Sequence, residues 1–186
     1  MKIYLFAGPN GSGKSTIIAN YIRDYKLDDV EYICPDIYAS ELFGDVPDVR
    51  ERYIKAMDFA EYKRKRLFDE GSPMIVETVL SGKDKIEFLR QAKESGYRII
   101  SVFVGTDSPE INIARVAKRV SEGGHDVPSE KVRDRYAKSM CNLPLLSEVS
   151  DEIYVYDNSI RPRLVAAVID GAKYETDDAP DWARNI

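Results

Sequence analysis

Nine consecutive residues near the start of the chain have the types and spacing of a phosphate-binding loop. They run Gly8-Pro9-Asn10-Gly11-Ser12-Gly13-Lys14-Ser15-Thr16 and match the pattern G-x-x-x-x-G-K-[ST] directly after the apolar run Ile3 to Ala7. The glycines let the backbone turn tightly and aim its N–H groups at phosphate oxygens, which also meet the positive end of the following helix. A turn alone does not require lysine and serine at these two positions, so the loop predicts binding of a nucleoside triphosphate.

In that interpretation Lys14 reaches the β- and γ-phosphates of ATP, and Ser15 is a ligand of Mg²⁺. The residues expected to bind the nucleotide are Gly8, Asn10, Gly11, Ser12, Gly13, Lys14, Ser15 and Thr16. Kinases, GTPases, motor ATPases and transport ATPases all use such a loop, so the class of protein must come from other residues.

Two carboxylates follow apolar runs that are predicted to be buried strands. Asp36 comes after the second run through Cys34-Pro35, and Glu77 ends the run Met74 to Val76, where a Walker B aspartate would stand. Open α/β sheets bind ligands at the carboxyl edge, so both side chains are site candidates. Asp36 is predicted to accept the proton of an attacking hydroxyl, and Glu77 to organise Mg²⁺ water or bind the acceptor. The alternatives are a helix cap for Asp36 and a surface carboxylate for Glu77.

Arginines between residues 108 and 143 have the arrangement of a lid over the phosphates. Arg115 and Arg119 lie four residues apart on one face of a predicted helix, and a second helix carries Arg133 and Arg135 after the hinge-like turn Gly123-Gly124-His125. Arginines on a closing lid can stabilise the charge on a transferring phosphoryl group. Solvated surface arginines are the alternative for each of them.

The elements that must position these residues alternate along the chain. Five apolar runs are predicted strands: Ile3 to Ala7, Val30 to Cys34, Met74 to Val79, Arg98 to Val104 and Glu152 to Tyr156. Six segments have helical period: Lys14 to Tyr25, Val49 to Phe68, Lys83 to Glu94, Pro109 to Ser121, Glu130 to Leu143 and Arg161 to Asp170. Nearly continuous apolar strands indicate burial on both faces, which predicts a three-layer α/β/α fold with a five-stranded parallel sheet.

Length and composition predict one globular domain over residues 1–173, with a polar tail over 174–186 that is either docked or frayed. The 27 basic and 32 acidic residues give a net charge of −5, which argues against a nucleic-acid-binding face. The single histidine, His125, excludes a histidine-centred metal cluster, and Cys34 and Cys141 lack metal-ligand spacing. The absence of any apolar run near ~18 residues and of room for a signal peptide predicts a cytoplasmic protein without a membrane span.

Other P-loop classes require motifs that this sequence does not contain. Leu80-Ser81-Gly82 is only a fragment of the signature segment of transport ATPases, and the N-K-x-D specificity loop of GTPases is absent. The residues therefore favour a small-molecule kinase. Two alternatives stay open, which are an ATP-binding or ATP-hydrolysing switch that acts on a protein partner and a nucleic-acid end kinase.

Several of these motifs together resemble the zeta toxin family of P-loop kinases. They are Gly8 to Thr16, Asp36, Glu77 to Gly82, Arg115 to Arg119, Gly123-Gly124-His125 and Arg135-Tyr136. The resemblance spans about residues 1 to 160. It implies a nucleotide-kinase-like fold with a helical lid that phosphorylates a sugar nucleotide, typically UDP-N-acetylglucosamine, with ATP, and that has an antitoxin protein as a possible partner.

The resemblance also implies roles for individual residues. It gives phosphate binding to Lys14 and general-base catalysis to Asp36, and it places Glu77 and Thr78 near the acceptor. It places Arg119 and Arg135 on the γ-phosphate, with Arg133 as the alternative to Arg135. The best-known members carry a helical segment before the loop, whereas here the loop begins at residue 8, which predicts a compact, stand-alone branch.

Overall fold

A computed structural model describes residues 1–124 and 126–186 of the chain, so the predicted role of His125 in a hinge lies outside the described residues. The strands are β1 (Lys2–Ala7), β2 (Glu31–Ile33), β3 (Met74–Thr78), β4 (Arg98–Gly105), β5 (Glu152–Asp157), β6 (Arg163–Ile169) and β7 (Ala172–Glu175). The helices are α1 (Lys14–Tyr25), α2 (Pro35–Glu41), α3 (Val49–Asp69), α4 (Asp84–Glu94), α5 (Pro109–Ser121) and α6 (Ser129–Val149), followed by a short 3₁₀ helix (Asp181–Ala183).

The strands form one sheet in the order β2-β3-β1-β4-β5-β6-β7. The pairings from β2 to β5 are parallel, and those of β5 with β6 and of β6 with β7 are antiparallel. The predicted α/β fold around a parallel sheet is confirmed, but the prediction of five strands was two short. Since β1 lies at the centre of the parallel part, the phosphate loop that follows it opens in the middle of the carboxyl edge.

Burial on both faces explains why β1 reads as a continuous apolar run. Leu5 packs in one apolar cluster with Phe103, while its neighbour Phe6 packs in the cluster on the opposite face with Ile18 of α1. Strands that are covered on both sides need no polar alternation. The helices on the two faces therefore hold β1 and its loop in place.

The prediction of a helix over Arg161 to Asp170 was wrong, because this segment forms β6. Val165, Ala166 and Ala167 are buried, and β6 pairs along the free edge of β5. Asp170 and Gly171 both have positive φ angles, 49° and 81°, and join β6 to β7 as a two-residue turn. The turn directs the chain back along the sheet as a hairpin.

Two further boundaries differ from the predictions. α6 continues through Pro144 to Val149, beyond the predicted end at Leu143. β7 extends across the predicted border between the domain and the tail at residue 174. Within the part of the chain that the structure describes, no helix is both long and apolar enough to cross a membrane.

Candidate active site

Glycines with positive φ angles shape the loop between β1 and α1. The φ angles of Gly8, Gly11 and Gly13 are 142°, 76° and 92°. A Cβ atom on Gly8 would lie 2.1 Å from the carbonyl oxygen of Val104, and one on Gly13 would lie 2.3 Å from Nδ2 of Asn158. Only glycine therefore fits these positions, because a side chain would meet both backbone strain and a neighbouring atom.

Lys14 begins α1, and its buried side chain folds back over the loop. Its Nζ donates hydrogen bonds to the carbonyl oxygens of Gly8 at 2.8 Å and of Pro9 at 3.0 Å, and lies 3.8 Å from Oε1 of Glu77. Burial lowers the pKa of the Lys14 ammonium, and the carboxylates of Glu77 and Asp36 oppose that effect. The ammonium is thus held between the loop and the carboxylates, where a phosphate group could take over its hydrogen bonds.

An open cavity of about 690 Å³ lies in front of the loop. It is bounded by the phosphate loop, the carboxyl ends of β2 and β3, α3, and the ends of α5 and α6 that face each other. Predicted site residues that line it are Asn10, Gly11, Lys14, Ser15, Asp36, Glu77, Thr78, Arg119 and Arg135. The structure therefore brings together the predicted residues from five separate segments of the chain.

The two carboxylates reach the cavity because β2 and β3 are neighbours in the sheet. Asp36 lies in the first turn of α2, whose N-cap is Cys34, so Asp36 is not the cap of this helix. Glu77 is half-buried near the end of β3, and its Oε2 accepts a hydrogen bond of 2.6 Å from the hydroxyl of Tyr32. Burial, together with the charge of Glu77, raises the pKa of Tyr32, so Tyr32 remains a donor to this carboxylate.

Sequence reasoning did not find Tyr32, since a tyrosine in a strand gives no sign of its partner until the strand order is known. Thr78 lines the cavity beside Glu77, and its Oγ1 accepts a hydrogen bond of 3.0 Å from the backbone N–H of Leu80. Thr78 therefore also orders the turn that leads from β3 to α4.

The arginines predicted for the lid separate into different environments. Arg119 and Arg135 line the cavity, and Nη1 of Arg135 donates to Oδ1 of Asn10 at 3.1 Å. Arg133 is exposed and pairs instead with Glu110 at 3.3 Å. Arg135 is therefore better placed than Arg133 for contact with a phosphate.

Arg115 lies outside the group that lines the cavity, because its guanidinium is engaged by backbone oxygens. It donates to the carbonyl of Asn158 at 2.8 Å and to that of Ser159 at 3.2 Å. Its placement thus favours a role in fixing the loop after β5.

The end of α5 explains the glycine pair before the second lid helix. Gly123, with a φ angle of 89°, and Gly124 donate their N–H groups to the carbonyl oxygens of Val120 and Arg119, which stops the helix. A Cβ on Gly124 would lie 2.5 Å from Cγ of Arg119. This helix end therefore places Arg119 in the last turn and leaves space for its side chain.

Two buried asparagines, Asn112 and Asn158, support the loop from behind. Asn112 of α5 donates to the carbonyl oxygen of Asn10 at 2.6 Å and accepts from the hydroxyl of Thr106. Asn158, which follows β5, donates to the carbonyl oxygen of Ser12 at 2.7 Å. The signal available in the sequence for Asn112 was a polar amide at a position on the apolar stripe of α5.

The geometry fits a nucleotide with a divalent cation. Among the described residues no side chain caps α1 at Gly13, and none makes a hydrogen bond to the buried Oγ of Ser12. Donors left open at a helix N-terminus suit phosphate oxygens. Ser15 is exposed at the cavity, and no group of three or more His, Cys, Asp or Glu side chains in the described part could hold a metal. A single hydroxyl oxygen, that of Ser15, suits Mg²⁺, which usually keeps several waters and binds through phosphates.

Comparisons with known proteins agree with this geometry. A protein-family profile described as "AAA domain" (AAA_33) matches residues 3–140. A protein of Haemophilus influenzae, described as uncharacterized, is 32% identical over 138 residues, which cover 73% of this chain and 92% of that protein. The sequence and its phosphate loop thus identify a P-loop, nucleotide-binding domain.

Solved structures share the fold at low sequence identity. A chain of the AvrRxo1-ORF1:AvrRxo1-ORF2 complex with sulphate ions superimposes with a TM-score of 0.75 at 16% identity, and the corresponding structure with ATP gives 0.71 at 17% identity. These matches cover 95% and 94% of this chain but only 61% and 60% of the others, so the chain spans about three fifths of their length.

A structure from the PezAT chromosomal toxin–antitoxin system of Streptococcus pneumoniae gives a TM-score of 0.65 at 21% identity, covering 84% of this chain and 67% of that one. Together with the family profile, these neighbours confirm the P-loop α/β fold that the resemblance to the zeta toxin family implied.

Proposed function

The chain belongs to the AAA domain family, and we propose on that premise that it is an ATP-dependent kinase of a small molecule. The observation that supports this most is the cavity that brings Asp36, Glu77, Arg119 and Arg135 together with Lys14 of the phosphate loop. A site built only to hold a nucleotide does not require a carboxylate in the open space beyond the phosphates. That space is where the hydroxyl of an acceptor would lie.

On the donor side, the loop residues Gly8 to Thr16 bind the phosphates of ATP through backbone N–H groups and Lys14. Ser15 would be the protein ligand of Mg²⁺, and Glu77, which lines the same cavity, would orient its waters. When bound, Mg²⁺ neutralises charge on the phosphate oxygens.

In the transfer step, the hydroxyl oxygen of the acceptor forms a bond to the γ-phosphorus. Asp36 accepts the proton that this hydroxyl loses. The bond from that phosphorus to the β,γ-bridging oxygen breaks, and ADP leaves with the electron pair. Lys14, Arg119 and Arg135 stabilise the negative charge that spreads over the γ-phosphoryl oxygens.

The acceptor is proposed to be a sugar nucleotide or a related metabolite, with UDP-N-acetylglucosamine as the first compound to test. One wall of the cavity is formed by α3, where Tyr53, Ile54 and Met57 offer an apolar and aromatic surface beside the cation of Arg50. Ile54 and Met57 are exposed beside this space, which suits the ring of a ligand. Lys131 of α6 adds a second cation for an anionic group.

A protein partner is part of the proposal. The PezAT neighbour comes from a toxin–antitoxin system, and the AvrRxo1-ORF1 neighbour is in complex with ORF2. A small antitoxin-like protein is therefore the kind of partner to look for. Its presence should lower phosphoryl transfer.

Incubation with ATP, Mg²⁺ and a panel of sugar nucleotides, nucleosides and sugars tests the kinase activity directly. Mass spectrometry should find a product that carries one added phosphoryl group, and Lys14→Ala should not form it. Identical products from wild type and Lys14→Ala across a broad metabolite extract would sink the kinase proposal. ATP hydrolysis without any acceptor-dependent product would instead favour the switch module.

Asp36→Asn tests the role of the carboxylate. We expect kcat to fall by about 10²–10⁴-fold, the usual contribution of a general base, with the Kd for MgADP unchanged. Asp45→Asn, on the exposed segment between α2 and α3, is the matched control and should retain kcat. An Asp36→Asn enzyme with wild-type kcat would show that another group takes the proton.

A further inference from the structure

The segment after β7 returns to the carboxyl edge of the sheet and places its tryptophan against the end of β4. Trp182 is half-buried, its ring centroid lies 6.2 Å from that of Phe103, and a Cβ on Gly105 would lie 2.5 Å from its Cη2. Its Nε1 donates a hydrogen bond of 3.2 Å to Oδ1 of Asp107. The indole therefore packs on the strand end and also holds the first residues of the loop from β4 to α5.

This segment is docked by its own contacts and is not a frayed terminus. Ala179 and Ala183 are buried in the apolar cluster that contains Phe103. Arg184 ties the segment together, since its guanidinium donates to the carbonyl oxygens of Ala179 at 3.0 Å and of Asp177 at 2.9 Å. The position of Trp182 is thus fixed from both sides of the short 3₁₀ helix.

The loop that Trp182 contacts is the one that supports the phosphate loop. Thr106, between Gly105 and Asp107, donates to Asn112, and Asn112 donates to the carbonyl oxygen of Asn10. Tyr136 of α6 also donates to the carbonyl oxygen of Thr106, at 2.6 Å. A shift of this loop would therefore move the backbone of Asn10.

A second chain of contacts leads from the same segment to the other side of the phosphate loop. Asp178 pairs with Arg163, whose Nε donates to Oδ2 of Asp157 at 3.1 Å. The other oxygen of Asp157 accepts from the N–H and the hydroxyl of Ser159, and this hydroxyl in turn accepts from the N–H of Asp107 at 2.9 Å.

The residue before Ser159 completes this second route. Asn158 donates through its side chain to the carbonyl oxygen of Ser12. Both routes from the segment thus end on the backbone of the phosphate loop, one at Asn10 and one at Ser12.

The position in the sheet indicates which part of a nucleotide lies above these loops. The cavity with Asp36 and Glu77 lies on the β2 and β3 side of β1. A nucleotide that turns its γ-phosphate toward that cavity extends its nucleoside to the opposite side, over the ends of β4 and β5. Those are the strand ends that Trp182 and Asp178 hold.

We propose that residues 176–186 are a positioning element of the nucleotide site and that Trp182 is its positioning residue. The inference rests on the proposed binding of ATP, but it does not depend on which acceptor is used. The segment lies beyond residues 3–140, the part of the chain that the family profile matches.

The chain contains one tryptophan, so emission excited at wavelengths that tyrosine does not absorb reports on this position alone. Addition of MgADP should shift or quench the emission of Trp182 with the same Kd that isothermal titration calorimetry gives. An emission that stays constant through a calorimetrically verified titration would contradict the inference.

Substitutions then separate positioning from simple stability. Trp182→Ala removes both the ring and the hydrogen bond, so we expect the Kd for MgADP to rise about tenfold. Asp107→Ala removes only the hydrogen bond and should raise this Kd by less. Trp182→Phe keeps an aromatic ring at this position without the N–H donor or the full reach of the indole, and should recover part of the affinity that Trp182→Ala loses.

Phe68→Ala is the control for a general loss of stability. Phe68 packs on Tyr97 at the amino end of β4, with a ring distance of 5.6 Å, at the opposite edge of the sheet. Phe68→Ala should lower the Tm as Trp182→Ala does, but it should leave the Kd for MgADP unchanged. Equal Kd values for wild type, Trp182→Ala and Phe68→Ala would overturn the positioning role, whereas failure of wild type to bind MgADP would instead refute the donor side of the proposed function.

Discussion

Gly13 and Gly123 have nearly the same backbone conformation, with φ angles of 92° and 89°, but different surroundings. A Cβ on Gly13 would lie 2.3 Å from Nδ2 of Asn158, whereas one on Gly123 would meet no described atom within 4 Å. Substitutions at these two positions can therefore separate the cost of backbone strain from the cost of a steric clash with a neighbouring side chain.

Gly123→Ala should cost about 1–2 kcal/mol of unfolding free energy, the penalty of a left-handed backbone for a residue with a side chain. Gly13→Ala should cost more and should also weaken MgADP binding, because Asn158 must move from Ser12. Urea unfolding and calorimetric titration of both variants measure the two effects. If both variants bound MgADP equally well, the contact between Gly13 and Asn158 would have no role in shaping the loop.

Lys14 gives the site a dependence on pH whose sign follows from its burial. Burial lowers the pKa of its ammonium in the nucleotide-free protein, and phosphate oxygens would raise it again in the complex. Between the lowered pKa of the free protein and the higher pKa of the complex, binding must take up a proton. The Kd for MgADP should therefore rise as the pH increases through that window.

Calorimetric titrations at one alkaline pH, in two buffers with different ionisation enthalpies, measure this proton uptake. The apparent heats should differ in proportion to the protons taken up. Equal heats in the two buffers would mean that Lys14 stays charged in the free protein.

At the scale of elements, α6 packs against the rest of the protein along most of its length. Val132, Leu143 and Leu146 are buried, and Nδ2 of Asn142 donates to the carbonyl oxygen of Leu80 at 2.9 Å. Leu80 has a positive φ angle of 59° in the turn after β3. The predicted lid therefore has a second helix that is a fixed support for Arg135, and any closing movement must come from the residues before Val132.

Asn142→Ala and Ser139→Ala test this attachment as a matched pair on one helix. Loss of Asn142 leaves the carbonyl of Leu80 unsatisfied, which should cost about 1–3 kcal/mol of unfolding free energy. The hydroxyl of Ser139 is buried without a hydrogen-bond partner among the described residues, so Ser139→Ala should be neutral or stabilising. Urea unfolding distinguishes them, and a Ser139→Ala variant as destabilised as Asn142→Ala would contradict this account.

The elements also show how far the sequence could predict the fold. The parallel strands were readable because burial on both faces leaves a continuous apolar run, as in Ile3 to Ala7. β6 was mistaken for a helix because its leucine and alanines suit a helix locally, while its strand conformation depends on pairing with the distant β5. The dipeptide Asp170-Gly171, a strong hairpin signal, was the local sign that a strand precedes it.

At the scale of the whole molecule, the net charge and the charge of the site have opposite signs. The chain carries a net charge of −5, yet the cavity is lined by Lys14, Arg50, Arg119, Lys131 and Arg135 against the carboxylates of Asp36 and Glu77. The sequence motifs pointed to most of these residues, but Arg50 and Lys131 come from helix faces that only the assembled fold turns toward the cavity. A local excess of positive charge within an acidic protein attracts anions to one place.

Lys131 is the residue with which this attraction can be measured, because it is exposed at the cavity. Lys131→Gln should lower the association rate of MgADP at low salt, and the difference from wild type should shrink near 0.1 M salt, where the screening length is about 10 Å. Lys65→Gln removes the same charge from an exposed position on α3 and is the control. Stopped-flow fluorescence of Trp182 follows the association in all three proteins. Equal slowing by both substitutions would show that the overall charge of the chain, and not the arrangement of cations at the cavity, directs the nucleotide to its site.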